Sequence, residues 1–305
     1  MPKATLALLL ALSAAALGTA GAAMTSDPKP LLTWPDLLSR ARPVPNTTIS
    51  YGDDAYQKVD LWLPTGHGPH PVVLMVHGGC WQTEIADRTL MNWVANDLRT
   101  RGIAVWNIDY RGVDRPGGGY PGTFADTAAA ADLLSARAAD FNLDTRRVVA
   151  IGHSAGGHLA LWLAARRGLP ASSVLYRAHP LPIAHAISLG GLPDLEAVAN
   201  SPDNGCGTDV IKRLVGTPSA THRNVFRDTS VTRLLPIRVS QTLINGDNDK
   251  IIPIRLGTSY VEKAAAAGDS ATLIRLPQTG HVELIAPESA AWAATRTAID
   301  KALAQ

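Results

Sequence analysis

The sequence predicts an α/β fold, a mostly parallel twisted sheet with helices on both faces. Three observations carry that prediction. Short apolar and β-branched runs without polar alternation, such as Val72-Val73-Leu74-Met75-Val76, are what strands buried on both faces require. Helix-length stretches separate these runs, and such alternation sets successive strands parallel. A Gly-His-Ser-Ala-Gly turn stands where one of the strands meets one of the helices.

Prolines interrupt residues 25–45, which read as a loose lead-in within an N-terminal stretch, 24–50. Val59-Asp60-Leu61-Trp62-Leu63 alternates as a strand and stops at Pro64. Residues 72–76 are the first doubly buried strand. Residues 87–101 read as a helix ended by Gly102, and 103–108 as the next buried strand. Residues 111–122 form a glycine-rich loop. Thr123, with Asp126 three residues on, fits the cap of the helix that follows. A strand at 147–151 leads to a helix at 155–166 that Gly168 ends. Strands follow at 184–189 and 242–245, a helix over 253–267, a strand at 271–276 and a last helix at 288–304. Residues 190–238 are polar, with Gly205, Gly207 and several prolines. They read as a cap-like excursion between two core strands, so one domain spans 51–305.

Composition narrows the function. Apolar residues make up 46% and charged residues 18%, which excludes a disordered chain. The 28 basic and 26 acidic residues leave a net charge of only +2, too balanced for binding nucleic acid by phosphate neutralisation. No long Lys/Arg run invites a membrane surface. At the N-terminus, Lys3, the apolar run 6–17 and Ala20-Gly21-Ala22 fit a secretory signal peptide over 1–23, cut near Ala22 or Ala23. That run is too short for the roughly 20 apolar residues of a spanning helix. Export to the periplasm or outside, without stable membrane association, is therefore expected, into a compartment where disulfides form.

The chemistry-bearing motifs lie at strand ends. Gly152-His153-Ser154-Ala155-Gly156 matches G-x-S-x-G in the strand–turn–helix setting that a serine nucleophile requires. Small neighbours permit the tight turn, and the serine is presented beside the amides of a helix N-terminus. A capping serine between packing glycines would leave the other motifs unexplained. His77-Gly78-Gly79-Cys80-Trp81 follows strand 72–76 directly. A glycine pair there lets backbone amides approach a developing oxyanion. The expected donors are the amides of Gly79 and Cys80, with that of Ala155. His77 reads as a brace for this loop, and Trp81 as a pocket wall. Gly78 and His153 read as pocket neighbours, and His158 as a polar contact on the helix.

An acid and a base should follow Ser154 along the chain. Asp247 and Asp249 both stand at the end of strand 242–245. Asp249 precedes Ile251-Ile252-Pro253, where the next element begins, and is the expected acid; Asp247 reads as a turn former. Of nine histidines, only His281 lies on the loop after the last strand, in Pro277-Gln278-Thr279-Gly280-His281. There is no H-E-x-x-H, G-x-G-x-x-G or Walker A spacing, so no metal, nucleotide or other cofactor is expected.

Together HGGCW, GHSAG, GDNDKIIP and TGH resemble the α/β-hydrolase superfamily. Within it the chain is similar to the esterase group of feruloyl-esterase-like (BD-FAE-like) proteins and kynurenine formamidases. The HGG-x-W form supports this, as does the stretch from Asp109-Tyr110-Arg111 through Gly119-Tyr120-Pro121-Gly122 to Asp126. The resemblance covers roughly residues 55–300. It implies the α/β-hydrolase fold, with Ser154 as nucleophile, Asp249 as orienting acid and His281 as base. It further implies a serine carboxylic ester hydrolase acting on small soluble or phenolic esters, with an arylformamidase-type amide hydrolase as the alternative. An export signal counts against that alternative. Cys80 departs from the group, where an aromatic residue or another glycine is frequent at its position.

Two expectations remain. Cys80 and Cys206 are the only cysteines, and they leave two states open: a disulfide clamping the excursion to the oxyanion loop, or two free thiols. The excursion carries Asp194, Glu196, Asn200, Asp203, Asn204, Asp209, Lys212 and Arg213. Only Val210, Ile211, Leu214 and Val215 cluster in it, enough for one short packed helix. It offers no broad apolar face to lipid, so short acyl groups are expected, with Trp81 and the Gly117–Tyr120 loop as aromatic walls.

Overall fold

The computed structural model describes Met1 and residues 30–201 and 203–304. The proposed signal sequence, apart from Met1, lies outside the described residues. The elements run α1 (Trp34–Leu38), β1 (Thr47–Ser50), β2 (Lys58–Trp62), β3 (His70–Val76), α2 (Asn92–Thr100), β4 (Ala104–Ile108), α3 (Gly122–Arg137), β5 (Leu143–His153) and α4 (Ala155–Ala165). Then follow β6 (His185–Leu189), α5 (Leu195–Val198), α6 (Thr208–Val215), β7 (Ser240–Gly246), α7 (Arg255–Ala266), β8 (Ala271–Leu276) and α8 (Ala290–Ala304).

The strands form one eight-stranded sheet in the order β1-β2-β4-β3-β5-β6-β7-β8. β1 and β2 pair antiparallel, β2 pairs antiparallel with β4, and every later pairing is parallel. The strand order reverses at β3: the chain steps from β3 to β4 on one side, then crosses to β5 on the other. In open parallel sheets, the crevice outside the strand ends at such a reversal is where ligands bind. The loops after β3 and β5 meet there.

Alternate residues of β3 enter different cores. Val72, Leu74 and Val76 join the cluster with α3, α4 and α7. Val73 and Met75 join Leu37 of α1, Trp93 of α2 and Trp292 of α8. A period of two dividing one strand between two helix layers explains why the run is apolar throughout.

Three sequence expectations are corrected. The lead-in is not loose over 30–50, where α1 and β1 form. Thr33 caps α1 in a reciprocal capping box with Asp36, and a proline sits in its first turn. Thr123 and Asp126 do not cap α3, whose first residue follows Pro121. Thr123 instead takes the Gly119 amide and donates to the Arg111 carbonyl, while Asp126 binds Arg111 through both carboxylate oxygens. The helix expected over 87–101 begins as a 3-10 turn at Arg88–Met91, capped by Asp87.

Between β6 and β7 the chain forms α5 and α6 and a 3-10 turn at Val231–Arg233. Ile211, Leu214 and Val215 of α6 are buried. Two side chains of α4 hold this stretch down: His158 Nε2 donates to the Thr229 carbonyl at 2.8 Å, and Trp162 Nε1 to that of Asp228 at 2.8 Å. Complete burial against Trp81 and Phe124 pushes the pKa of His158 down to about 4.

The unfolded chain takes up a proton at His158 near pH 6.5, the folded chain only near pH 4. Between those values the unfolded state binds more protons, so stability falls as pH drops through that window. His158 should remove about 2 kcal/mol between pH 7.5 and pH 5. Urea unfolding of wild type and His158→Gln at both pH values checks this. The variant's stability should depend less on pH by about that amount.

Candidate active site

The site begins with a turn that has no spare room. A Cβ on Gly152 would lie 1.9 Å from the Gly156 carbonyl oxygen, and one on Gly156 2.2 Å from that of Val76. Only glycines let α4 start this close to the ends of β3 and β5. Ser154, between them, takes φ 56° and ψ −122°, a conformation disfavoured for L residues by about 1–3 kcal/mol. It is held by its amide to Leu189 O and by the Gly157 amide to its own carbonyl, both 2.8 Å. Ser154 is thus raised at the N-terminus of α4.

The loop after β3 packs against this turn. A Cβ on Gly78 would meet His153 Nδ1 at 2.9 Å and Ser154 Cβ at 3.1 Å, so glycine lets the two segments touch. Gly79, Cys80 and Trp81 then all take positive φ, at 101°, 52° and 54°. The amides of Gly79, Cys80 and Ala155 make no hydrogen bond to another described residue. Unpaired amides beside a raised hydroxyl are what a developing oxyanion needs.

His77 braces the loop from below. Its Nδ1 lies 2.7 Å from Gly78 O and its Nε2 2.9 Å from Asp109 Oδ1. Its ring stacks on Tyr110 at 4.3 Å, and the Tyr110 hydroxyl donates to the His77 carbonyl. Arg88 bridges Asp109 and Asp60 behind it. A disulfide between Cys80 and Cys206 ties the same loop to the excursion across 126 residues, resolving the choice the sequence left open. By loop-closure entropy, a cross-link over so long a loop is worth up to about 5 kcal/mol.

Asp249 and His281 meet at the neighbouring strand ends. Asp249 Oδ2 lies 2.6 Å from His281 Nδ1, and its Oδ1 accepts the amides of Ile251 and Ile252 at 2.8 Å each. That arrangement orients the carboxylate and places the imidazole proton on Nδ1, leaving Nε2 as the acceptor. Asp247 points elsewhere and pairs with Arg275 at the surface. His281 and Ser154 line one cleft of about 560 Å³. The Ser154 hydroxyl makes no hydrogen bond to His281 here; such bonds commonly tighten only when substrate binds.

His153 is fully buried, and its ring lies 4.3 Å from that of His281. Burial, then the neighbouring His281, hold its pKa well below the usual histidine value. The neutral ring donates from Nε2 to the His281 carbonyl at 3.1 Å.

The cleft walls differ from the sequence expectation. Trp81 does not wall the cleft: it is completely buried, edge-on to His158. Its left-handed backbone turns the indole into the core. Tyr120 lines a separate polar cavity of about 500 Å³, where it stacks on His222 and donates to Asp228. His77 and Gly78, expected in the pocket, do not line the cleft. The aromatic wall is Trp34 of α1, with Leu38, Ile85, Ala86, Leu90 and Ile251 completing the apolar lining. Sequence reasoning missed Trp34 and the buried Glu283. The available signal for the first was Thr33 with Asp36 three residues on, a helix start inside the supposed lead-in. Among the described residues, no three His, Cys, Asp or Glu side chains gather as a metal-binding set, and no helix is long and apolar enough to cross a membrane.

The BD-FAE family model matches residues 59–263. Esterase LipC of Mycobacterium tuberculosis is 31% identical over 261 residues, covering 80% of this chain and 61% of that protein. A probable isoprenylcysteine alpha-carbonyl methylesterase of Arabidopsis thaliana, ICMEL1, is 26% identical over 255 residues, covering 79% of this chain and 52% of its own. The chain therefore spans about half to six tenths of the length of these relatives. Among solved structures, esterase B from Lactobacillus rhamnosis aligns with a TM-score of 0.72 over 88% of each chain, at 18% identity. The likeness covers most of the chain and identifies the α/β-hydrolase fold.

Gly156→Ala should be destabilising out of proportion to its size, because the new methyl meets backbone carbonyls that cannot move aside. A loss of about 3 kcal/mol or more is expected, read from the denaturant midpoint of the purified variant against wild type.

Proposed function

The chain belongs to the BD-FAE family, and from that premise we propose that it is a serine carboxylic ester hydrolase acting on small soluble esters. The observation that carries the reading is the Asp249–His281 pair opening into the same cleft as Ser154. Named relatives that are esterases support it from outside the site.

In this reading His281 Nε2 takes the Ser154 proton as the oxygen attacks the ester carbonyl. The oxyanion rests on the amides of Gly79, Cys80 and Ala155, each donor worth about 2.7–4 kcal/mol in the transition state. His281 then protonates the leaving alcohol, and water repeats the sequence on the acyl-enzyme. Asp249 holds the imidazole tautomer and stabilises the imidazolium. The bounded apolar cleft suits acetyl or butyryl groups, and Trp34 offers a flat face to a phenolic one. We also propose export directed by residues 1–23, supported by their signal-like pattern and by the disulfide. Fractionating cells and sequencing the N-terminus of the recovered protein tests that part; protein confined to the cytoplasm and still beginning at Met1 would refute it.

A panel of p-nitrophenyl acetate, butyrate and palmitate, beside an N-formyl aromatic amine, tests the activity. Short esters should turn over fastest, and the formamide slowly or not at all. Ser154→Ala should lose several orders of magnitude in kcat and all labelling by a fluorophosphonate probe. Ordinary turnover by that variant would end the reading.

The two neighbouring aspartates should behave differently. Asp249→Asn is expected to lower kcat by about 10⁴, because the amide presents a donor to Nδ1 and reverses the tautomer. Asp247→Asn, which removes only a surface pair, should stay within about twofold. Comparing the two at one pH checks the assignment.

A further inference from the structure

We infer that residues 31–42 are a working part of the ester site, with Trp34 setting the length of the hydrocarbon arm accepted there and positioning His281. The inference rests on the esterase reading above and goes beyond it. This segment lies outside the family-matched residues 59–263, and it forms one side of the cleft.

The contacts run directly to the proposed base. The Trp34 ring stands edge-on to both His281 and His153, with centroids 6.2 Å away in each case. Leu38, one helical turn further along α1, lines the same cleft and is 45% exposed. Ile85, from the chain beyond the oxyanion loop, also lines it and is 60% exposed. Apolar side chains left in solvent at the mouth of a cleft gain by covering a hydrocarbon arm.

One buried carboxylate joins this wall to the base. Glu283 accepts the Leu32 amide with one oxygen and the Gly280 amide with the other, and Gly280 immediately precedes His281. A shift of the segment therefore pulls on the loop that carries the imidazole. Four further attachments hold the segment down. Leu37 is buried in the second core. Arg40 forms a two-pronged pair with Glu288. Trp93 Nε1 donates to the Ala41 carbonyl. Arg42 donates to Thr89 and lies over the Trp93 ring. The segment is thus anchored as a wall, with its helix N-terminus fixed by the Thr33–Asp36 box.

Two effects follow from removing the indole. Space opens beside Ser154, so discrimination against longer hydrocarbon arms weakens. His281 also loses an edge-on neighbour, so its alignment loosens even for the shortest substrate.

The test uses the full chain with two ester series: p-nitrophenyl esters of two- to twelve-carbon acids, and butyrates of increasingly long alcohols. Trp34→Ala should move the optimum of one series to longer arms, changing the ratio between short and long members by about tenfold or more. Its kcat on acetate should fall by about 10- to 100-fold, and Trp34→Phe should recover both. Leu38→Ala removes an exposed side chain, endangers folding least, and should shift the same series in the same direction. Unchanged profiles in both alanine variants would overturn the inference. So would a uniform loss that Trp34→Phe does not rescue. If wild type neither hydrolyses any ester nor takes the fluorophosphonate label, the esterase reading itself fails; a labelled, active wild type confines any failure to Trp34.

Discussion

Everything at the site depends on how closely α4 passes the end of β3. Gly156 rests against the last carbonyls of β3, and Gly152 against Gly156. That approach forces Ser154 into a left-handed backbone at the turn between β5 and α4, where it lines the cleft. It also sets the start of α4 beside the loop after β3, so that Gly78 touches Ser154. A methyl group at either glycine would separate the layers that compose the site. The disfavoured conformation persists because hydrogen bonds from β6 and α4 over-determine it.

His281 is positioned by a different means. His281 sits on a loop, where backbone alone orients a ring poorly. The structure supplies contacts from four sides: Asp249 at Nδ1, His153 at the carbonyl and as a tilted neighbouring ring, Trp34 edge-on, and Glu283 through the preceding amide. His153 serves in this only as a neutral ring, and its complete burial keeps it neutral. A charged ring there would face His281 when that group carries the second proton.

The excursion after β6 reaches the cleft at Gly205, next to the disulfide. Elsewhere it is fixed to α4 through His158 and Trp162, on the helix that begins just after Ser154. This polar stretch therefore stabilises the loop after β3 through one covalent link and α4 through two hydrogen bonds. It adds little apolar surface to the cleft itself.

The alternation of strands and helices from β2 onward, and the placing of Ser154, Asp249 and His281 at strand ends, were legible in the sequence because each rests on local chemistry. Doubly buried strands must be apolar throughout, the elbow must have glycine on both sides, and an acid and a base must stand at strand ends. The glycine pair after β3 was legible for the same reason, since it lets the loop of Gly79 and Cys80 pass close to Ser154. What the tertiary structure alone decided is which surfaces meet. Trp81 belonged to an obvious pocket motif, yet its left-handed backbone turned the ring inward. Tyr120 went to a separate cavity. Trp34, in a stretch that proline spacing made look irregular, became the aromatic wall because a capping box turned it into a helix docked beside His281. The pairing of Cys80 with Cys206 and the bridging by Glu283 also needed the fold. Both join residues more than a hundred positions apart, and no local pattern records a contact between segments brought together only by the packing of the whole sheet.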